Sequence, residues 1–172
     1  MKQIYRFLNI IILVLFTHIS FGQIEYLWYP SEDNNWNNVN NWYDATNDIY
    51  PADALPTVSD IVYFDGTIVN DNCDINVNIS VTDFIIIDYT GTITQTGSFT
   101  MNINRNFSIN NGTFQGGSGA MTIGTNGGSL SISGGEFIST SGNLRIRDDF
   151  SLSGNGIFTH NSGSIEFNTN SL

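Results

Sequence analysis

The chain has 172 residues with 16 acidic and five basic side chains, and two of the basic ones, Lys2 and Arg6, lie within the first six positions. Beyond residue 22 the only cations are Arg105, Arg145 and Arg147. That balance excludes partners held by phosphate neutralisation, both nucleic acid and anionic lipid, and favours solubility outside the cell.

At the amino terminus, Lys2 and Arg6 precede an apolar run from Phe7 to Phe16, broken only by Asn9. The run is too short to cross a bilayer as a helix. Ser20 and Gly22 then place small residues where a signal peptidase reads, so residues 1–22 are expected to be a signal peptide cleaved after Gly22. No cysteine follows the run, which argues against a lipoprotein anchor. The expected location is secreted or on the outer cell surface, with no membrane insertion after cleavage. Cys73 is the single cysteine. It can form neither an internal disulfide nor a cysteine-based zinc site, and its alternating apolar neighbours mark it as a small buried hydrophobe.

Residues 23–58 differ from the rest. They hold all three tryptophans and all three prolines of the chain. Trp28, Tyr29, Trp36, Trp42 and Tyr43 sit among Asn and Asp residues, ahead of Pro56. Two uses fit that pattern. The aromatics can cap the first coil of a repeat structure, whose bare end would template aggregation. Alternatively Trp28, Trp36 and Trp42 can form a stacking platform that contacts a glycan. The cap reading is preferred, because a cap is required in either case.

From residue 59 onward the chain reads as short alternating runs punctuated by Gly and Asn, which predicts many short strands and no long helix. Gly91, Gly112, Gly135 and Gly156 recur at intervals of 21, 23 and 21. Each is followed by an apolar anchor: Ile93, Phe114, Phe137, Phe158. A second column reads Val77, Phe99, Met121, Leu144, Ile165, and a third reads Ile79, Met101, Ile123, Ile146, Phe167. A fourth reads Val62, Phe84, Phe107, Leu130, Phe150, with Phe64, Ile86, Ile109, Ile132, Leu152 beside it. Agreement across columns at this step predicts an all-β fold: a right-handed parallel β-helix, or β-solenoid, of about five coils over residues 59–172. Alternation puts the anchors inside and the intervening polar residues in water. It also stacks Thr100, Thr122, Arg145 and Glu166 outward, making Arg145 and Glu166 cross-coil neighbours. Gly and Asn at the corners are expected to supply left-handed backbone angles. The sequence stops one strand into a new coil, which points to a truncated or partial chain.

The run Trp28, Asn35-Trp36-Asn37, Asn41-Trp42, then Pro56-Thr57-Val58-Ser59-Asp60-Ile61-Val62-Tyr63-Phe64-Asp65, then a lone Cys73, resembles the amino-terminal region of large Bacteroidetes surface proteins. The resemblance implies β-solenoid repeats of an adhesin-like protein exported by the type nine secretion system. Such proteins usually end in a sorting domain, and this chain departs from the pattern by having none.

Parallel β-solenoids also host polysaccharide lyases and hydrolases, which need clustered carboxylates. The nearest candidate is the corner Arg145, Arg147, Asp148, Asp149, where Asp149 aligns only with Ser129 and Asn106. His160, the one histidine beyond residue 22, has no triad or metal cluster around it. Asp71, Asp74 and the Glu32-Asp33 pair lack the spaced oxygens of a dedicated calcium loop, so no cofactor beyond loosely bound calcium is expected. Ice binding would need a regular Thr array, and Glu136 and Ile157 interrupt Thr92 and Thr113 in the relevant column. The expected function is therefore a non-catalytic, adhesin-like surface module, with cell-surface glycans or other surface proteins as partners. The alternative is a carbohydrate-binding or polysaccharide-active β-helix module.

Overall fold

A computed structural model describes residues 22–167, so the expected signal segment lies almost wholly outside the described residues. The described chain folds as a parallel β-solenoid of about five turns, built from seventeen short strands and a single 3-10 turn, Val39–Asn41. The first sheet stacks β3 (Ile61–Asp65), β6 (Asp83–Ile87), β9 (Phe107–Ile109), β12 (Ser129–Ile132) and β15 (Asp149–Leu152). At its amino-terminal edge it adds β1 (Glu25–Trp28), parallel to β3, and then β2 (Trp42–Asp44), antiparallel to β1. The second sheet stacks β4 (Cys73–Ile75), β7 (Thr92–Gln95), β10 (Thr113–Gln115), β13 (Glu136–Ile138) and β16 (Ile157–Thr159). The third stacks β5 (Ile79–Val81), β8 (Met101–Ile103), β11 (Met121–Ile123), β14 (Asn143–Ile146) and β17 (Ser164–Phe167).

The inward columns are the physical core. Val62, Phe84, Phe107 and Leu130 align in register, as do Ile93, Phe114 and Phe137, and all are 0% exposed. Each such burial is worth on the order of 1.5–3 kcal/mol by transfer. Their rings form a continuous spine: Phe84 stacks on Phe107 at 4.9 Å, Phe107 meets Phe137 edge-on at 5.1 Å, and Phe137 stacks on Phe158 at 5.8 Å.

In the third sheet the Ile79–Met101 pairing is as expected, but the step from β8 to β11 is displaced by two residues. Met121 pairs with Met101 and Met101 with Ile79, while Ile123 pairs with Ile103 and Ile103 with Val81. Val77 and Phe99 fall just outside the ladder, and Phe99 is 37% exposed. A slip of two residues preserves the inward–outward alternation, so Val77, Ile79 and Val81 fit by pattern equally well. The corner decides, because the Gln95 side-chain amide donates to the Phe99 carbonyl at 2.5 Å and reaches the Gly119 carbonyl at 3.3 Å, which keeps Phe99 beside Gly119 and out of register with Met121. The outward stack is accordingly Ser80, Asn102, Thr122, Arg145, Glu166. Its last pair is as expected: Arg145 Nε and Nη2 donate to Glu166 Oε2 at 2.9 and 2.8 Å, and this holds the Glu166 carboxyl below its ordinary pKa.

The corners also differ from expectation. Among the described residues, positive φ occurs at glycines and at Asp48, Asp88 and Ser162, but at no asparagine. Corner asparagines serve another purpose: they accept backbone N–H groups from a neighbouring coil. Asn70 Oδ1 takes Thr90 N–H, Asn72 takes Thr92, Asn106 takes Ser129 and Asn110 takes Asp88, at 2.7–3.1 Å. Backbone groups that leave the ladder at a bend thus keep a partner. At the Ser118-Gly119, Ser141-Gly142 and Ser162-Gly163 corner, glycine is needed for close approach rather than for φ. A Cβ on Gly142 would lie 2.6 Å from the Ser118 carbonyl oxygen, and one on Gly119 would collide with the Phe99 carbonyl.

Ile123→Asp is expected to prevent folding, because a carboxylate forced into that 0% exposed site costs several kcal/mol. Thr122→Asp, one residue away beside Arg145, should shift stability by less than about 0.5 kcal/mol. Thermal unfolding of the two variants checks this, and equal losses would refute the register.

Candidate functional site

The cap carries the residues singled out for glycan contact. On β1, Tyr26 and Trp28 point inward and Leu27 outward, with the exposed Tyr29 just past its end; on β2, Trp42 points inward and Tyr43 outward. The Asn-rich loop between the strands is organised by Asp33. Its carboxylate accepts the Asn35 N–H at 2.8 Å and the amides of Asn41 and Asn38 at 2.7 and 3.3 Å. These donors, the Asn35 backbone first, lower its pKa to about 2. The loop then fastens to β4, with Trp36 N–H donating to the Asp74 carbonyl and Asp74 N–H to the Asn34 carbonyl. Asp60 secures the other side, accepting the Thr57 N–H and hydroxyl and the Ile24 N–H. That pattern gives the Pro56-Thr57…Asp60 segment a structural reason.

Trp28, Trp36 and Trp42 are 0, 1 and 0% exposed. Trp36 and Trp42 pack at 4.6 Å, Trp28 and Trp42 at 5.1 Å, and Trp36 stacks on Phe84 at 6.0 Å. Two of the indole N–H groups are used internally, Trp28 on the Asp71 carbonyl and Trp42 on the Trp36 carbonyl. In this structure none of the three offers a ring face to a sugar. They are the first layer of the core, as the cap reading requires.

The exposed aromatics of the cap are tyrosines, which sequence reasoning passed over as site residues. Tyr29, Tyr43 and Tyr50 line a shallow groove of about 340 Å³ with Leu27 and Ile68. Tyr29 and Tyr50 are each 43% exposed and meet edge-on at 5.2 Å. The Tyr43 hydroxyl donates to Asp48 at 2.6 Å, which pushes its pKa up, and Tyr50 donates to the Asn40 carbonyl at 3.2 Å. A signal was available: Tyr29 and Tyr43 each adjoin an inward tryptophan and so have outward parity.

The remaining candidates are structural in their contacts. Arg145 is engaged by Glu166, and Asp148 accepts the Gly128 N–H at 2.9 Å. Asp149 lies beside Ser129 in the outward column of the first sheet. His160 Nε2 lies 2.9 Å from the Gly163 carbonyl within its own turn. Glu32, Asp33 and Asp71 border one small polar groove, whereas Asp74 sits on β4 away from it. Among the described residues no three His, Cys, Asp or Glu side chains converge as metal ligands. Cys73 is fully buried, and its thiol pKa is raised by burial first and by Asp74 second, which keeps it protonated and unreactive. Tyr26, beside Asp60, Asp44 and Asp53, is pushed up to about 12, by burial first. No protein-family model, curated protein or solved structure matches the chain.

Removing a fully buried indole costs about 3–5 kcal/mol, so Trp42→Ala should lower the melting temperature sharply. An unchanged melting temperature would show that the cap is dispensable to the fold. A second expectation concerns acid. Asp33 has a folded-state pKa below its ordinary value of 3.8, so its contribution is present above that value and fades as pH falls toward about 2. Carboxyl NMR should place its titration near the lower figure, and Asp33→Asn should remove that step.

Proposed function

We propose that the protein is a non-catalytic module of the secreted or outer-surface class, an adhesin-like β-solenoid that presents the cap's tyrosine groove to a surface glycan. The supporting observation is the groove itself. It sets three tyrosines beside Leu27 and Ile68, at the aromatic and aliphatic end of an outward column that turns to serine in the later coils. Sugars present apolar faces that stack on such rings, and hydroxyls that bond to a polar rim. The glycan reading thus keeps the chemistry expected of the tryptophans but assigns it to Tyr29, Tyr43 and Tyr50. Export is supported by the Lys2/Arg6 start, the Phe7–Phe16 run and the Ser20/Gly22 site. A non-catalytic role is supported by the engagement of Arg145 and Asp148 in structural contacts. The likeness to large Bacteroidetes surface proteins supports the adhesin-like class.

The test is a glycan array probed with the exported chain, alongside Tyr29→Ala/Tyr50→Ala. The double variant should lose binding and keep its melting temperature, because both rings lie on the surface. Binding that survives in it, or release of reducing ends from any polysaccharide on the array, would overturn this function.

A further inference from the structure

The tyrosine groove lies in the most one-sided field of the molecule. Residues 23–104 carry twelve carboxylates and no Lys, Arg or His. Arg105, the first cation after them, is drawn to Asp83 at 3.9 Å. Two of the twelve carboxylates border the groove. Asp48 accepts the Tyr43 hydroxyl through Oδ1 at 2.6 Å. Asp65 ends β3, and the β1–β3 register, carried past the Leu27–Tyr63 pair, sets it level with Tyr29. Its backbone carbonyl accepts the Ile68 N–H at 3.1 Å, and its Oδ1 accepts the Thr67 N–H and hydroxyl at 2.9 and 2.7 Å. Among the described residues the second oxygen of each carboxylate has no partner.

The rings supply the other half of the site. Tyr29 and Tyr50 meet at 83°, so their planes are two walls of an open corner, which Tyr43, Leu27 and Ile68 complete as a groove of about 340 Å³. The face of an aromatic ring is the negative side of its quadrupole, and it attracts a cation lying within about 6 Å of the ring centroid. Aromatic walls, flanking carboxylates and the lack of any basic side chain in this part of the chain all match a ligand that carries positive charge.

We infer that the groove takes an amine-bearing sugar, a glycan whose hexosamine residues are not acetylated and so carry an ammonium group. This rests on the glycan reading of the groove and names the class of glycan. The apolar face of the sugar lies on one tyrosine ring, while its ammonium meets a second ring face and the oxygens of Asp48 or Asp65. Acetylation removes that charge, and with it the part of the contact that the carboxylates supply. A uronate or sulfated sugar brings further negative charge to a groove with no cation to receive it. The acidic cap also draws a cationic glycan in before contact, which speeds encounter and disfavours anionic competitors.

Calorimetry of the exported chain with trimers of β-linked glucosamine, N-acetylglucosamine and a hexuronate tests this. The glucosamine trimer should bind about tenfold more tightly than the acetylated one, by the combined loss of a cation–π contact and an exposed charge pair, and should weaken as salt rises. The uronate should not bind. Asp48→Asn/Asp65→Asn should weaken glucosamine by about two- to fivefold per carboxylate. Asparagine still accepts the Tyr43 hydroxyl and tolerates the φ of 58° at position 48, so the melting temperature should hold. Tyr29→Ala/Tyr50→Ala leaves every charge in place and should abolish binding. Glucosamine binding that survives the tyrosine variant belongs to the acidic body as a whole and overturns the inference, as does unchanged affinity in the asparagine variant. Equal or tighter binding of the acetylated or uronate trimer overturns it while leaving the glycan function standing. A chain that ignores all three trimers overturns it too, and the glycan array then decides whether the broader function falls with it.

Discussion

The structure depends on one constraint: every coil must hand its neighbour a complete, in-register parallel ladder of N–H and C=O groups. Strands of three to five residues have no independent stability, and each acquires it only from the coils above and below. The register that satisfies the backbone also stacks like side chains on like. The Phe84–Phe107, Phe114–Phe137 and Phe137–Phe158 contacts follow from that stacking, and each aromatic pair adds about 0.5–1.5 kcal/mol beyond its buried area. Composition follows as well. The many asparagines carry the ladder around the bends, where the backbone alone cannot, as Asn70, Asn72, Asn106 and Asn110 do.

A ladder that stabilises the middle of the rod leaves a problem at its ends. The amino-terminal end is closed in two ways. β2 reverses direction against β1 and so terminates parallel growth, and the three tryptophans fill the volume that another coil would have filled. The indole N–H groups of Trp28 and Trp42 reach backbone carbonyls, so these two rings fill the core with their donors satisfied. The demand that the cap be dry and well packed is what removes the tryptophans from the surface. Large flat rings in a short polar loop suggest a sugar platform when read as a list. Alternation within β1 and β2 assigns them to the core and hands the outer face to their tyrosine neighbours.

Much of the fold was legible because its columns carry redundant information. In the first sheet, Val62, Phe84, Phe107, Leu130 and Phe150 are each flanked two residues later by a second anchor. Only one alignment satisfies both columns across five coils. The third sheet was legible only in part. Val77, Ile79 and Val81 offer three equivalent apolar positions, and periodicity cannot choose between registers that differ by two residues. The choice is made by the Gln95 amide, which joins the Phe99 and Gly119 carbonyls of successive coils, a long-range contact invisible to local pattern. The tyrosine groove was illegible for a similar reason. Tyr50 reaches Tyr29 and Tyr43 only because the loop after β2 folds back over the outer face, and nothing local in the sequence dictates that return.

The same constraint explains how such a scaffold can acquire function without losing its fold. Inward positions are fixed by packing, and backbone groups are fixed by the ladder, but the outward column of a sheet answers to neither. On the first sheet that column runs Tyr43, Leu27, Tyr63, Ile85, Ser108, Ser131, Ser151. Its chemistry changes from aromatic and aliphatic at the cap to hydroxyl at the far end, with no break in the pairing beneath. The change cannot be a requirement of the ladder, since serine satisfies the outward position in the later coils as well as tyrosine does in the earlier ones. Its cause lies outside the coil-to-coil pairing. The aromatic end of the column, adjoining the groove of Tyr29 and Tyr50, is therefore the part of this surface where recognition can be written without disturbing the core.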